Sequence, residues 1–552
     1  MAWALPKQDS TIAPDYVWTN KDMDPVPIED QTWSMWTWVA YWATDMINLG
    51  TWETASSIIQ VGLTWRDAIP IMAVGTLCVA IPVVLNGAIG AHLHAPFSVI
   101  VRSGFGYYFA YFAIASRCIL AMFWLGIQSA NGALAMQVML MAIWPSFASY
   151  DWNGPNNTLP RSGGISTAGM IAYFLFWLIQ LPLLLIPPTR LRYLFIIKLI
   201  AAPITAFATL GYMIHKAGGT GAIFSQPGTA TGETRIYLWL SCMSSVTGVW
   251  ATLACNIPDF SRYAKGRADG KTNYAQYIQL PVLPIIFTLC GALGVITTSA
   301  SKVVYGEFYW NPLDIVAQWL NNGSAGRSAA FFAALSWYIA QVGTNITANS
   351  ISAANDMCVM APRYINIKRG CVIAAVVSCW VMVPWKILSD AETFLSFMSG
   401  YSVFLAPMAG KSDYWLIKKR HIDVPALYDP HGRYRYVYGV NWQGLVAFLI
   451  AVCPNLPGLA NSINGISISA GAKHLYAFDW LYGFVSSVFV YTVLSMVFPT
   501  MEALIPKTIY SLEVVEGKET SPDRDIESES RGIFEEKKGF RREDTADVGK
   551  AL

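Results

Sequence analysis

The stretch MINLGTWETASS, Met46 to Ser57, decides how this chain is read. Upstream, WTWVAYWAT (Trp36 to Thr44) is apolar and aromatic; downstream, IIQVGLTW (Ile58 to Trp65) is mostly apolar again. Between them Asn48, Gly50, Thr51, Glu53, Ser56 and Ser57 interrupt what otherwise has the length and composition of a membrane helix. A break of this kind is tolerated at membrane depth only where the freed backbone lines a cavity or is buried in protein.

The rest of the chain supports the membrane reading. Of its 552 residues 54% are hydrophobic and only 13% charged, against about 25% charged in soluble domains, and the mean hydropathy is +0.39. Apolar runs long enough to span a bilayer recur near 36–62, 68–89, 113–143, 167–187, 191–213, 236–257, 277–304, 329–360, 370–388, 392–409, 440–460 and 476–499. The expectation is an all-α integral membrane protein with twelve transmembrane helices. Residues 1–35 read as a polar N-terminal tail, 36–500 as the twelve-helix domain, and 501–552 as a polar tail with too few core-forming residues to fold.

A net charge of +2 and the lack of a basic block with interleaved aromatics point away from nucleic acid. The nine cysteines fall inside apolar runs and read as small buried hydrophobes. His92 and His94 are a close pair without a third ligand, so no metal site is expected. The first 30 residues lack a basic-then-apolar cleavage pattern, so no signal peptide is expected.

Lys and Arg bias sets orientation. With the N-terminus inside, the inner loops hold Arg102, Arg190, Arg192, Arg262, Lys265, Arg267, Lys271, Arg363, Lys368, Arg369, Lys411, Lys418, Lys419, Arg420, Arg433 and Arg435, and the outer loops hold fewer basic residues. Both termini are therefore expected in the cytosol. The sequons Asn156-Asn157-Thr158 and Asn322-Gly323-Ser324 fall in outer loops, in agreement.

Five spans after the first break comes a second, in SSVTGVWATLACNIPDFSRYAKGR, with Gly248, Asn256, Pro258 and Asp259. Interrupted helices at matching places of two five-helix units are the sequence pointer to an inverted-repeat transporter. The alternative is a pair of Gly/Pro kinks in packed helices. In the first break, Gly50 reads as the flexible point, Asn48 as a local backbone partner and Glu53 as a proton carrier.

In RCILAMFWLGIQSANGA, Trp124 and Gln128 are four apart and share a helix face. An indole beside an amide suits a planar heterocycle with amide-like edges; an interfacial Trp and a packing Gln would have the same spacing. In WYIAQVGTNITANSISAANDMCVMAPRY, Asn345, Asn349, Ser352 and Asp356 form one polar stripe, facing a wet cavity or a partner helix. Asp45, Glu53, Arg117, Lys198 and Asp356 are the intramembrane charges; each costs about 2.5–3.5 kcal/mol at mid-membrane unless it pairs, faces water or titrates. Glu53 and Asp356 are the candidate proton carriers, with Lys198 and Arg117 as static partners; Asp356 at the cytoplasmic interface is the alternative.

The strings VAYWATDMINLGTWETASS, RCILAMFWLGIQ, WATLACNIPDFSRYAKGR and GTNITANSISAANDM resemble the nucleobase–cation-symport-1 transporters, most of all their fungal Fur-type branch of uracil, allantoin and uridine permeases. The resemblance covers about residues 30–500. It implies a five-plus-five inverted repeat of the amino-acid-transporter type, with discontinuous helices 1 and 6, two extra helices, and alternating access around a central site. It implies substrate contacts at Trp124, Gln128, Trp250, Asn349 and Asn355, and a gate or selectivity role for Phe397 and Met398. Ion coupling falls to Glu53, Asp356, Lys198 and Thr344. A sodium-coupled relative has a Ser–Thr pair where this chain has Gly343 and Thr344, so a hydroxyl ligand is missing and proton coupling is favoured over sodium.

The expectation is thus a plasma-membrane proton symporter, not an enzyme, that imports nucleobases or analogues such as uracil and allantoin and needs no cofactor. The alternatives are a thiamine, uridine or nicotinamide riboside permease of the same family, or a non-transporting nutrient sensor. Lys518, Lys537, Lys538 and Lys550 of the C-terminal tail are candidate sites for ubiquitin attachment by the endocytic machinery.

Overall fold

The computed structural model describes residues 3–510 apart from 9, 11, 187, 266–273, 412–420, 500–504 and 507. The tail lysines from Lys518 onward and Arg267, Lys271, Lys418, Lys419 and Arg420 lie outside the described residues.

The first half of the fold contains α1 (Met35–Met46), α2 (Leu49–Gln60), α3 (Trp65–Leu93), α4 (Phe97–Phe105), α5 (Ala110–Ile143), α6 (Thr167–Leu184) and α7 (Arg192–Lys216). After the short α8 (Gly221–Phe224) come α9 (Gly232–Val249), α10 (Ala251–Asn256), α11 (Pro258–Ser261), α12 (Gln279–Tyr305) and α13 (Pro312–Gln318). Then follow α14 (Gly323–Thr344), a π-helical turn Asn345–Ser350, α15 (Ile351–Met360), α16 (Ile367–Val376) and α17 (Ala391–Lys411). The last are α18 (Val424–Tyr428), α19 (Trp442–Val452), α20 (Leu456–Asn464), α21 (Ala470–Tyr476) and α22 (Asp479–Val497).

Helix occupies every predicted interval, and seven segments among the described residues are long and apolar enough to cross a membrane. They are Trp65–Leu93, Ala110–Ile143, Arg161–Leu184, Tyr193–Lys216, Ala275–Tyr305, Trp442–Asn464 and Asp479–Val497. The first predicted span is divided: α1 and α2 have 12 residues each. Two sets of helices pack closely. In one, α3 lies along α12 and α9, with α2 against α12; in the other, α5 lies along α6, α14 and α15.

Asn48 explains the first break. Its backbone is extended (φ −147°, ψ 171°), its Oδ1 accepts from the Thr51 N–H at 3.0 Å, and its Nδ2 donates to the Asp45 carbonyl. One side chain thereby caps the N-terminus of α2 and satisfies a carbonyl freed at the end of α1. The backbone leaves the helix at Ile47 and Asn48, and Gly50 is already helical, so Gly50 is not the flexible point expected of it. Its missing side chain serves close approach instead: a Cβ there would stand 3.1 Å from Gln128 Nε2 and 3.7 Å from Trp124. The second interruption lies within the Gly248–Asp259 stretch read from sequence: the helix breaks at Trp250 (φ −105°, ψ 8°), between α9 and α10, and again at Ile257, between α10 and α11.

The N-terminal segment differs from a plain polar tail. Ile12, Ala13, Met23 and Val26 are buried, and the segment bonds to several loops expected on the inner side. The Val26 N–H donates to the His94 carbonyl, Arg262 to the Asp22 carbonyl at 2.9 Å, and Tyr428 to the Met23 carbonyl at 2.6 Å. Tyr16 donates to Asp429 at 2.5 Å, a bond that pushes its phenol up to about 12. Four short apolar residues spread through polar sequence have no periodicity to reveal this.

Among the described residues all nine cysteines are free; most are buried or partly buried, but Cys453 is exposed, against expectation. His92 and His94 diverge, toward Tyr510 and the Arg262 carbonyl, and no group of three metal-ligating residues forms among the described residues.

Candidate functional site

A cavity lies where the two breaks meet α5 and the π-helical turn. Its wall includes Asn48, Gly50, Arg117, Trp124, Gln128, Trp250, Asn256, Thr344 and Asn349. Four residues expected at a substrate site, Trp124, Gln128, Trp250 and Asn349, are brought together there, with Thr344 beside them. The cavity's volume is about 30 Å³. Asn355, Phe397 and Met398 are not part of the wall. Phe397 packs on Phe123 and Tyr401, at 5.4 and 5.1 Å between ring centroids. Met398 is fully buried and its sulfur receives the Thr54 hydroxyl at 3.9 Å. Asn355 is buried.

The aromatic walls are held from behind. Trp124 donates its indole N–H to the Tyr401 hydroxyl at 3.1 Å, and Tyr401 donates onward to the Gly248 carbonyl at 2.6 Å, at the end of α9. Trp250 stands edge-on against Trp42 and Phe287, at 5.5 and 5.9 Å. Its own indole N–H is buried without a partner among the described residues.

The amides belong to two buried networks. Gln128 accepts from Gln341 at 2.8 Å. Asn349 donates to Asn345 Oδ1 at 3.0 Å, and Asn345 donates to Gln180 Oε1 at 2.7 Å and Ser129 Oγ at 3.1 Å. A π-helical turn inserts an extra residue and often marks a functional site; here it carries both asparagines. The sequence spacing predicted a plain helix across it.

The charged residues expected to act as one coupling group fall into three separate clusters. Glu53, fully buried, accepts from Asn131 at 2.6 Å and from Asn311 at 2.7 Å. Asn311 also caps α13 through the Leu313 N–H at 2.9 Å. Lys198 donates to the Thr344 hydroxyl at 2.7 Å. Close by, Asp45 accepts from Thr347 at 2.6 Å and lies within electrostatic reach of Lys198. A Cβ on Gly343 would come within 2.9 Å of the Lys198 stem, so the glycine makes room for it. Arg117 and Asp356 form a buried ion pair, and Arg117 also donates to the Ser352 carbonyl at 2.5 Å.

Sequence reasoning did not single out Asn131, Asn311, Gln341 or Tyr401, and it gave Asp45 no role. Asn131 had a signal, as an amide three residues after Gln128 in an apolar run. Asn311 had a weaker one, as the residue before Pro312 at a helix start.

Residues 25–483 match the sequence model of the family described as permease for cytosine/purines, uracil, thiamine, allantoin. The chain is 36% identical to an uncharacterized permease of Schizosaccharomyces pombe, over 89% of this chain and 86% of that protein. It is 31% identical to the uracil permease of Saccharomyces cerevisiae (87% and 76% covered) and 30% identical to that organism's allantoin permease (87% and 76%). In fold it is similar to Mhp1, a nucleobase-cation-symport-1 family transporter, in a closed conformation with bromovinylhydantoin bound. The TM-score is 0.67 at 20% identity, covering 87% of this chain and 96% of that one.

Proposed function

From the premise that the chain belongs to the family of permeases for cytosine/purines, uracil, thiamine and allantoin, and within it resembles the Fur-type nucleobase–cation symporters, we propose a proton-coupled symporter. It imports uracil, allantoin or a close analogue across the plasma membrane by alternating access. The relatives are permeases and transporters rather than enzymes. The observation that carries the reading is the cavity itself, where the indoles of Trp124 and Trp250 and the amides of Asn48, Gln128, Asn256 and Asn349 converge. Such walls stack on a flat ring and bond to its edge.

The architecture proposed is twelve spans: two five-helix units in inverted repeat, each with one discontinuous helix, and two further helices. Both termini lie in the cytosol. Trp124 and Trp250 stack on the ring, Gln128 and Asn349 bond to its edge, and Asn355, Phe397 and Met398 join when the gate moves. Glu53 and Asp356 handle the proton. Neutralising a carboxylate lowers the cost of closing the outer side, and the two helix sets then rock to open the inner side.

Proton rather than sodium coupling is supported by Lys198. Its Nζ donates to the Thr344 hydroxyl beside Gly343, so an amine occupies the place where the sodium-coupled pattern has hydroxyl ligands. The test is uptake of labelled uracil by cells expressing the protein, with external pH and sodium varied independently. Uptake following pH supports the assignment; uptake following sodium alone removes it. Glu53→Gln is expected to leave uracil binding near the wild-type level while uptake no longer responds to pH.

Gly50→Ala tests the close approach of α2 to the site. The added methyl crowds Gln128 and Asn48. A displacement of even part of an ångström at a positioned group raises KM for uracil about tenfold or more. An unchanged KM would show that α2 does not form the wall during binding.

A further inference from the structure

The two halves of α17 are held against α22 in different ways. The C-terminal half packs tightly. A Cβ on Gly410 would meet Ser487 Oγ at 2.6 Å and Val488 at 2.8 Å, and one on Gly483 would meet Ala406 at 3.0 Å. Small residues of this kind let membrane helices approach closely. Between the halves stands Pro407, which has no N–H for the Val403 carbonyl, so the helix bends most easily there.

The N-terminal half, with Phe397, Met398 and Tyr401, is tied to α22 by a hydrogen bond: Ser399 donates to Asp479 Oδ2 at 3.3 Å. Asp479 opens α22 and is fully buried, and its Oδ1 accepts from the Trp480 N–H at 2.8 Å. Ser244 of α9, which donates to the Ala477 carbonyl at 3.2 Å, lies within hydrogen-bonding reach of the same carboxyl. The carboxyl therefore stands where α9, α17 and α22 meet, and among the described residues it takes part in no ion pair. A buried carboxyl without a cation is costly unless hydrogen bonds hold it, and an apolar side chain would fill the space without that cost.

On its other side the same half of α17 reaches the cavity. Ser245 of α9 donates to the Leu395 carbonyl at 3.0 Å, and Tyr401 accepts from the Trp124 indole while donating to the Gly248 carbonyl. The place of α17 thus sets the partner that orients one aromatic wall.

We infer that Asp479 is a positioning residue for the substrate site: through Ser399 it fixes the N-terminal half of α17, and with it the Tyr401 hydroxyl that holds Trp124. This rests on the proposed nucleobase reading of the cavity and gives the last helix a part in it. Without the Ser399 bond, α17 loosens on the N-terminal side of Pro407 while its C-terminal half stays packed on α22.

The test measures labelled-uracil binding and backbone deuterium exchange on purified full-length protein. Asp479→Leu and Ser399→Ala should each weaken uracil binding about tenfold, through a misplaced wall. Exchange should rise in residues 391–402 and stay level in 403–411. The double variant should lose no more than the worse single one, because both remove the same bond. Asp479→Asn can accept from Trp480 and donate to Ser399 Oγ, so it should stay within about threefold of wild type. Ser399→Ala is a mild change that carries the test if Asp479→Leu does not fold. The inference is overturned if exchange rises equally in both halves of α17 or in neither, if the losses of the two single variants multiply in the double, or if Asp479→Asn loses as much as Asp479→Leu. If the wild type binds neither uracil nor allantoin, the functional reading falls, and the exchange pattern alone decides whether Asp479 holds α17.

Discussion

Replacing Gln128 with alanine is expected to lower uracil uptake about a hundredfold or more, with the protein still delivered to the cell surface. Two losses combine. The amide packed against Gly50 in the cavity wall is gone, so the ring edge loses a fixed partner. The Gln341 amide, which donates to Gln128 at 2.8 Å and is itself fully buried, is left with an unmet donor. A site built to bond a polar edge then selects against its own ligand, because a buried unmet group costs about 1–3 kcal/mol. Labelled uptake, normalised to surface protein, checks it. Uptake within about twofold of wild type would remove Gln128 from the site, since a bond of ordinary strength is worth more than that.

The second large effect concerns stability. Arg117→Ala leaves Asp356 as a buried charge without its partner. It also removes the donor to the Ser352 carbonyl. Breaking a buried pair from one side costs about 3–5 kcal/mol, whereas replacing both members by apolar groups is far milder. Thermal unfolding of the purified protein should therefore show a marked loss in Arg117→Ala. The double variant Arg117→Met with Asp356→Leu should recover most of it. Equal stability of wild type and Arg117→Ala would mean that the pair does not persist in the protein's resting state.

Much of this was legible before the structure because membrane helices write themselves plainly. Apolar length located the helices, and the polar residues of MINLGTWETASS located the first break. What sequence did not reveal was which residue makes the break. Gly50 was the natural choice from its backbone freedom, yet Asn48 does the work with an amide that serves both half-helices. The stacking and edge residues Trp124, Gln128, Trp250 and Asn349 were reached partly through helical spacing and partly through family resemblance.

The coupling residues were harder to read, because charge pairing depends on which helices meet. Glu53 was grouped with Lys198 and Thr344, but α2 turns it to Asn131 and Asn311, and the carboxylate near Lys198 is Asp45. The π-helical turn at Asn345–Ser350 was also hidden, since a one-residue insertion shifts no apolar period that a single sequence exposes. The buried N-terminal contacts had no pattern to find: Met23 and Val26 are held by backbone bonds to distant loops.

Reconstitution into sealed vesicles tests the central claim most directly. Labelled uracil should accumulate when an inward proton gradient is imposed, with sodium absent, and the accumulation should collapse on adding a protonophore and fall on adding excess unlabelled allantoin. Uracil flux that ignores the proton gradient and requires sodium, or no flux of uracil and allantoin at all, would contradict the account.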